Sequence, residues 1–119
     1  MAAIGLTSLT HRHQSGLEAR INEPVSAVCV GKPVELSLTA RGGNEAYFVS
    51  WRVLGPDGEP VAQGFDVNTK GISYWRPKVT GAGLYTVQAD VATAPPRDSA
   101  FNVMPSVSVE RAVRAEYCR

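Results

Sequence analysis

The chain has 119 residues, of which 44% are hydrophobic and 19% are charged, and its formal net charge is +1. This length predicts one domain with a single core and is too short for a catalytic domain plus a second module. The near-neutral charge argues against nucleic acid or an anionic membrane as partner, and no apolar run approaches the roughly 20 residues that cross a bilayer.

The first 22 residues have the composition of an extended arm. They show no sustained strand or helix period, and polar residues interrupt their apolar ones. Because this segment also lacks the continuous apolar middle of a secretory signal, we expect synthesis in the cytoplasm without export by that route. Candidate partner contacts in the arm are its large apolar residues and a basic cluster: Ile4, Leu6, Leu9, His11, Arg12, His13 and Leu17.

From residue 34 onward, apolar and polar residues alternate with the period of half-buried strands. The segments with this alternation are 34–40, 48–54 and 85–91. Further strand-like segments are 61–67, 72–79 and 101–110, the last of which a break at Pro105 would divide in two. The run Gly55, Pro56, Asp57, Gly58 supplies turn residues for a hairpin, and Pro77 marks the edge or end of a strand. With no convincing helix between the segments, the pattern predicts an all-β protein, an antiparallel sandwich of about seven strands.

Two spacings resemble those of an immunoglobulin-like β-sandwich. Trp51 follows Leu38 by 13 residues, and Tyr85 stands two residues before Val87 with Gly83 ahead of it. The resemblance implies that Trp51 is the core tryptophan. It also implies that Tyr85 is a tyrosine corner, with its ring packed inward and its hydroxyl bonded to upstream backbone.

The chain departs from the antibody pattern in ways that resemble bacterial and bacteriophage Ig-like domains. Leu38 and Val87 stand where antibody domains carry their inter-sheet cysteines, and Gly81 replaces the acidic residue expected near the corner. The resemblance extends from about residue 23 to 110. It divides the chain into an arm (1–22), an Ig-like sandwich (23–110) and a C-terminal tail (111–119), which is either a helical turn or irregular.

The two cysteines, Cys29 and Cys118, are too far apart in sequence for a zinc motif. We expect a pair of free thiols in a reducing compartment. The alternative is a disulfide that ties the C-terminal tail to the first strand.

No residue constellation predicts catalysis, a metal or a cofactor. The only two histidines lie in the arm without a third ligand or a nucleophile nearby, and the acidic residues are scattered. We therefore expect a protein that is not an enzyme.

Tyr74 and Trp75 are adjacent, so on a strand their side chains point to opposite faces and one of them must leave the core. The exposed one is a candidate contact for a glycan or a protein. For Phe48 and Phe65 it is likewise open whether the side chain is buried or exposed.

The preferred functional hypothesis is a capsid decoration or accessory protein of a tailed phage. In it, the arm binds a capsid or other virion shell protein, with self-association also open, and the Ig-like domain faces outward. The alternative is an adhesion or carbohydrate-binding module at a bacterial surface, with a host glycan as partner. An intracellular enzyme or regulator is the least favoured, because the catalytic residues are lacking.

Overall fold

The computed structural model describes residues 16–24, 26–44, 46–95 and 104–118, and these form an all-β sandwich. The described residues contain no helix. The strands are β1 (Glu18–Ile21), β2 (Leu36–Arg41), β3 (Tyr47–Leu54), β4 (Pro60–Asn68), β5 (Ile72–Trp75), β6 (Gly83–Thr93) and β7 (Ser106–Ala115). The predicted fold class is therefore confirmed.

The strands form two antiparallel sheets. One has three strands in the order β1-β2-β5, and the other has four in the order β4-β3-β6-β7. The chain changes sheet between β2 and β3, between β4 and β5, and again between β5 and β6, while β3 and β4 form the hairpin predicted from the glycine and proline run. This all-strand arrangement is compatible with an Ig-like sandwich.

The core lies between the inward faces of the two sheets. Alternate residues of β2, including Leu36 and Leu38, meet alternate residues of β3 and β6, and these side chains are at most 8% exposed, as are all members of the core cluster. Trp51 packs against Trp75 with ring centroids 5.7 Å apart, and its indole N–H donates to Ser73 Oγ at 2.9 Å. The core position predicted for Trp51 is confirmed.

Tyr85 forms the predicted tyrosine corner. Its ring is buried in the core, and its hydroxyl donates to the backbone carbonyl of Gly81, four residues upstream, at 2.6 Å. The bond joins the start of β6 to the turn that leads into it. Gly83, the first residue of β6, has a φ of +145°, a conformation that favours glycine.

The structure corrects the N-terminal boundary of the sandwich. Residues 18–21, assigned to the arm from sequence, form β1 and pair with β2 from Glu18↔Arg41 to Ile21↔Leu38. Leu17, predicted as a partner contact, is fully buried in the core. The arm assignment of these residues was wrong, because β1 offers only two apolar residues, Ala19 and Ile21, next to the polar composition of the segment before it.

The C-terminal end also belongs to the sandwich. β7 continues to Ala115, five residues past the predicted boundary at Glu110, so residues 111–115 are neither a helical turn nor an irregular tail. Beyond β7, Glu116 forms a parallel bridge with Cys29, and the amide of Val30 donates to the carbonyl of Glu116 at 3.0 Å.

Cys29 and Cys118 form a disulfide with a Cα–Cα distance of 5.4 Å. The expectation of free thiols was wrong, and the alternative of a tie between the C-terminal end and the first part of the chain is the correct one. The parallel bridge between Cys29 and Glu116 explains the pairing, because it brings the two cysteines together across 89 residues of sequence.

Candidate binding surface

The predicted partner contacts in the arm fall into two groups. Ile4, Leu6, Leu9, His11, Arg12 and His13 lie outside the described residues. Leu17 is in the core and is inaccessible to a partner. The arm as a binding segment is therefore reduced to residues 1–15, and its role stays a prediction.

The structure separates the two adjacent aromatic residues of β5. Tyr74 points to the outer face of the three-stranded sheet and is 72% exposed. Trp75 points inward, is half-buried and packs on Trp51. Of this pair, Tyr74 alone is available as a surface contact.

A second exposed aromatic residue lies on the other sheet. Phe65 is in the edge strand β4 and is 66% exposed, with Val61 and Val67 exposed on the same face. On the inner face of β4, Gly64 leaves room for Trp75, since a Cβ at Gly64 would lie 2.4 Å from the indole nitrogen of that residue. A side chain at position 64 would therefore conflict with the Trp75 ring.

The registers of the four-stranded sheet place Phe65 in a row of polar side chains. Phe65 pairs with Ser50, Ser50 with Asp90, and Asp90 with Ser108, so the four residues cross the outer face from β4 to β7. The next row, in the same strand order, consists of Gln63, Arg52, Gln88 and Glu110. Directly opposed side chains of neighbouring strands interact with one another.

A shallow groove of about 470 Å³ lies over the parts of these two rows that belong to β4, β3 and β6. Its lining includes Ser50, Arg52, Gln63, Phe65, Gln88 and Asp90. Ser50 is the smallest of these side chains and stands between Phe65 and Asp90. Since neighbouring strands are about 4.8 Å apart, Phe65 and Asp90 are separated by roughly 10 Å across the strand between them. The small Ser50 side chain forms the bottom of the groove there.

Hydrogen bonds hold several of the polar groups in place. Arg52 Nε donates to Gln88 Oε1 at 3.2 Å, and Gln88 Nε2 donates to Glu110 Oε2 at 3.0 Å. In the first row, Ser108 Oγ donates to Asp90 Oδ1 at 2.5 Å. The groove thus has a polar side formed by β3 and β6, which hydrogen bonds to β7 help to order, and an aromatic side formed by Phe65 of β4.

The described residues hold no group of three or more histidine, cysteine or acidic side chains that would bind a metal ion. Within the same part of the chain there is also no helix with the length and apolar character of a membrane span. Every fully buried polar side-chain atom described here has a hydrogen-bond partner.

Sequence reasoning noted the ambiguity of Phe65 but missed the groove. The groove residues come from three different strands and are far apart in sequence, as Ser50, Phe65 and Asp90 show. Only the strand registers bring them together. The signal that was available is the alternation of β4, which places Phe65 on the same face as Gln63 and Val67.

No protein-family model, curated protein or solved structure matches this chain.

Proposed function

We propose that the chain is a non-enzymatic structural and binding protein, a capsid decoration or accessory protein of a tailed phage. Residues 1–15 bind a shell protein of the virion, and the Ig-like sandwich is displayed outward. The observation that carries the proposal is the position of Leu17. The described core begins at this fully buried residue, and every fully buried polar side-chain atom of the described residues has a hydrogen-bond partner, so we expect the sandwich to fold without residues 1–15.

The composition of residues 1–15 suits an attachment segment. Ordering an extended segment costs about 1 to 2 kcal/mol per residue, so tight binding needs apolar residues that become buried in the partner. Ile4, Leu6 and Leu9 supply these, each contributing about 1.5 to 3 kcal/mol when fully buried. The basic cluster around Arg12 adds charge-assisted contacts to an acidic surface.

The disulfide is consistent with an outward-facing domain. Such bonds persist at virion and cell surfaces and are rare in a reducing cytoplasm. A domain made in the host cytoplasm and displayed on a virion would form the Cys29–Cys118 bond once it is exposed.

Co-sedimentation with virus particles tests the proposal. Phage particles stripped of this protein are mixed with the full chain, a variant lacking residues 1–15, or an Ile4→Ser/Leu6→Ser/Leu9→Ser variant. We expect the full chain to pellet with the particles, the deletion to abolish pelleting, and the triple variant to weaken it by several kcal/mol. The matched control is Leu84→Ser, which changes an apolar residue that is 50% exposed on β6. Undiminished pelleting of the deletion variant would contradict the proposal.

The exposed Tyr74 favours a second candidate, a carbohydrate-binding or adhesion module at a bacterial surface. An aromatic ring that is 72% exposed offers a stacking face for a sugar. This function predicts that Tyr74→Ala abolishes binding to a glycan array and that deletion of residues 1–15 does not change it.

A further inference from the structure

The groove on the outer face of the four-stranded sheet combines the two elements that a sugar site requires. Phe65 contributes an exposed aromatic ring, which stacks on the apolar face of a pyranose. Around it stand amide, guanidinium, hydroxyl and carboxylate groups, which donate to and accept from sugar hydroxyls.

Several of these polar groups have unused hydrogen-bonding capacity. Arg52 uses its Nε toward Gln88, and its two terminal nitrogens have no hydrogen-bond partner among the described residues. Asp90 accepts from Ser108 at one oxygen, which leaves the other oxygen free within the same part of the chain. The side chain of Gln63, exposed on β4, likewise has no partner in the described residues.

We propose that this groove is a saccharide-binding site and that its ligand is a neutral chain of hexose or N-acetylhexosamine units. Neutrality follows from the lining, in which the positive charge of Arg52 is matched by the negative charge of Asp90. The site binds without cleaving: Asp90 is the sole carboxylate in the lining, whereas glycoside hydrolysis uses a pair.

The shallowness of the groove predicts weak binding by a single copy. Many copies on one particle would convert weak sites into tight attachment, because linked sites raise the overall affinity by factors of about 10² to 10⁴. This gain from many copies on one particle rests on the proposed function. The site itself depends neither on residues 1–15 nor on attachment to a shell, so the two proposals fail separately.

The test uses the full chain and a panel of maltohexaose, cellohexaose, mannohexaose and chitohexaose. Each saccharide is titrated while the backbone and side-chain N–H signals are followed by nuclear magnetic resonance. We expect at least one saccharide to shift the signals of Arg52, Gln63 and Gln88. Phe65→Ala should weaken that binding by about tenfold or more, because it removes the stacking face.

Tyr74→Ala is the matched control, since it removes an equally exposed aromatic ring from the opposite sheet. It should leave the titration unchanged, and both variants should melt like the parent because neither ring is in the core. Asp90→Asn should weaken binding, since it replaces a charge-assisted hydrogen bond with a neutral one.

Three results would overturn the proposal. The first is the lack of signal shifts in the groove with every saccharide of the panel. The second is loss of binding in Tyr74→Ala with unchanged binding in Phe65→Ala, which would place the site on the three-stranded sheet. The third is tighter binding by Asp90→Asn, which would indicate an anionic ligand in place of a neutral one.

Discussion

At the scale of single residues, the core combines apolar packing with a few buried polar groups that are bonded internally. The Trp51 N–H donates to Ser73, and the Tyr85 hydroxyl donates to Gly81. An aromatic residue with a polar group is stable in a core when that group has a partner. These contacts let Trp51 and Tyr85 contribute large apolar area without an unsatisfied donor.

Tyr85→Phe should therefore destabilise the protein modestly. The substitution keeps the buried ring and removes the bond to the Gly81 carbonyl, so we expect a loss of about 0.5 to 1.5 kcal/mol in the free energy of unfolding. Urea denaturation measures this loss, with Tyr74→Phe as the control because the Tyr74 side chain is exposed and should respond by less. A neutral or stabilising effect of Tyr85→Phe would contradict the structural role of the corner.

At the scale of elements, the sequence predicted strands wherever alternation lasted for six residues or more. β2, β3 and β6 show this pattern clearly and were located within a few residues of their observed ends. β1 was missed because its two apolar residues are too few to establish a period, whereas the equally short β5 lay inside the longer strand-like segment 72–79. The end of β7 was missed because Arg111 and Arg114 interrupt the apolar pattern in the sequence. The buried residues of this part of the strand are Val113 and Ala115.

The groove belongs to a different class of feature, which sequence periodicity does not address. Its residues are spread from Ser50 to Asp90, and their neighbourhood is created by the register of three strands. Alternation assigns each residue to a face of its own strand, whereas pairing across strands requires the sheet order. The same reason explains why the disulfide was not predicted from two distant cysteines.

The turn between β4 and β5 supplies a test of how tightly the elements are joined. Gly71 has a φ of +80°, and a Cβ there would lie 2.3 Å from the carbonyl oxygen of Ala40. The amide of Ala40 donates to the Gly71 carbonyl at 2.7 Å, so the two backbones cannot separate without losing that bond. Gly58 offers a comparison, because its φ is +86° and nothing lies within 4 Å of the added Cβ position.

Gly71→Ala should cost more stability than Gly58→Ala. Both variants should lose about 1 to 2 kcal/mol of unfolding free energy, because alanine is strained in the left-handed conformation. Gly71→Ala should lose a further amount of about 1 to 3 kcal/mol through the steric conflict with Ala40. The difference is measured by chemical denaturation of the two variants side by side. Equal losses would show that the backbone around Ala40 relaxes freely.

At the scale of the whole molecule, backbone hydrogen bonds and a disulfide join the N-terminal and C-terminal parts of the sandwich. The hydrogen bonds between Val28, Val30 and Glu116 make the first connection, and the Cys29–Cys118 disulfide makes the second. The disulfide closes a loop of 89 residues, so it restricts the unfolded chain strongly. Much of the stability of the domain is therefore expected to depend on the redox state.

Replacement of both cysteines by serine should lower the free energy of unfolding by about 2 to 5 kcal/mol. Thermal unfolding of the parent with and without a reductant should show a similar difference, while the double variant should be insensitive to the reductant. A parent protein whose melting temperature is unchanged by complete reduction would contradict the assigned role of the disulfide.

The boundary between residues 1–15 and the sandwich yields the last prediction. Deletion of residues 1–15 should change the free energy of unfolding by no more than about 0.5 kcal/mol, because the described core starts at Leu17. Deletion of residues 1–21 should cost about 3 to 6 kcal/mol, since it removes the buried side chains of Leu17 and Ile21 together with the pairing of β1 to β2. Urea denaturation of the two truncated proteins measures both losses of unfolding free energy.

Equal, large losses from the two deletions would show that residues 1–15 form part of the domain. Attachment and folding would then be inseparable. A small loss from the longer deletion would instead show that β1 is dispensable to the core and would remove the structural reason for placing the boundary at Leu17.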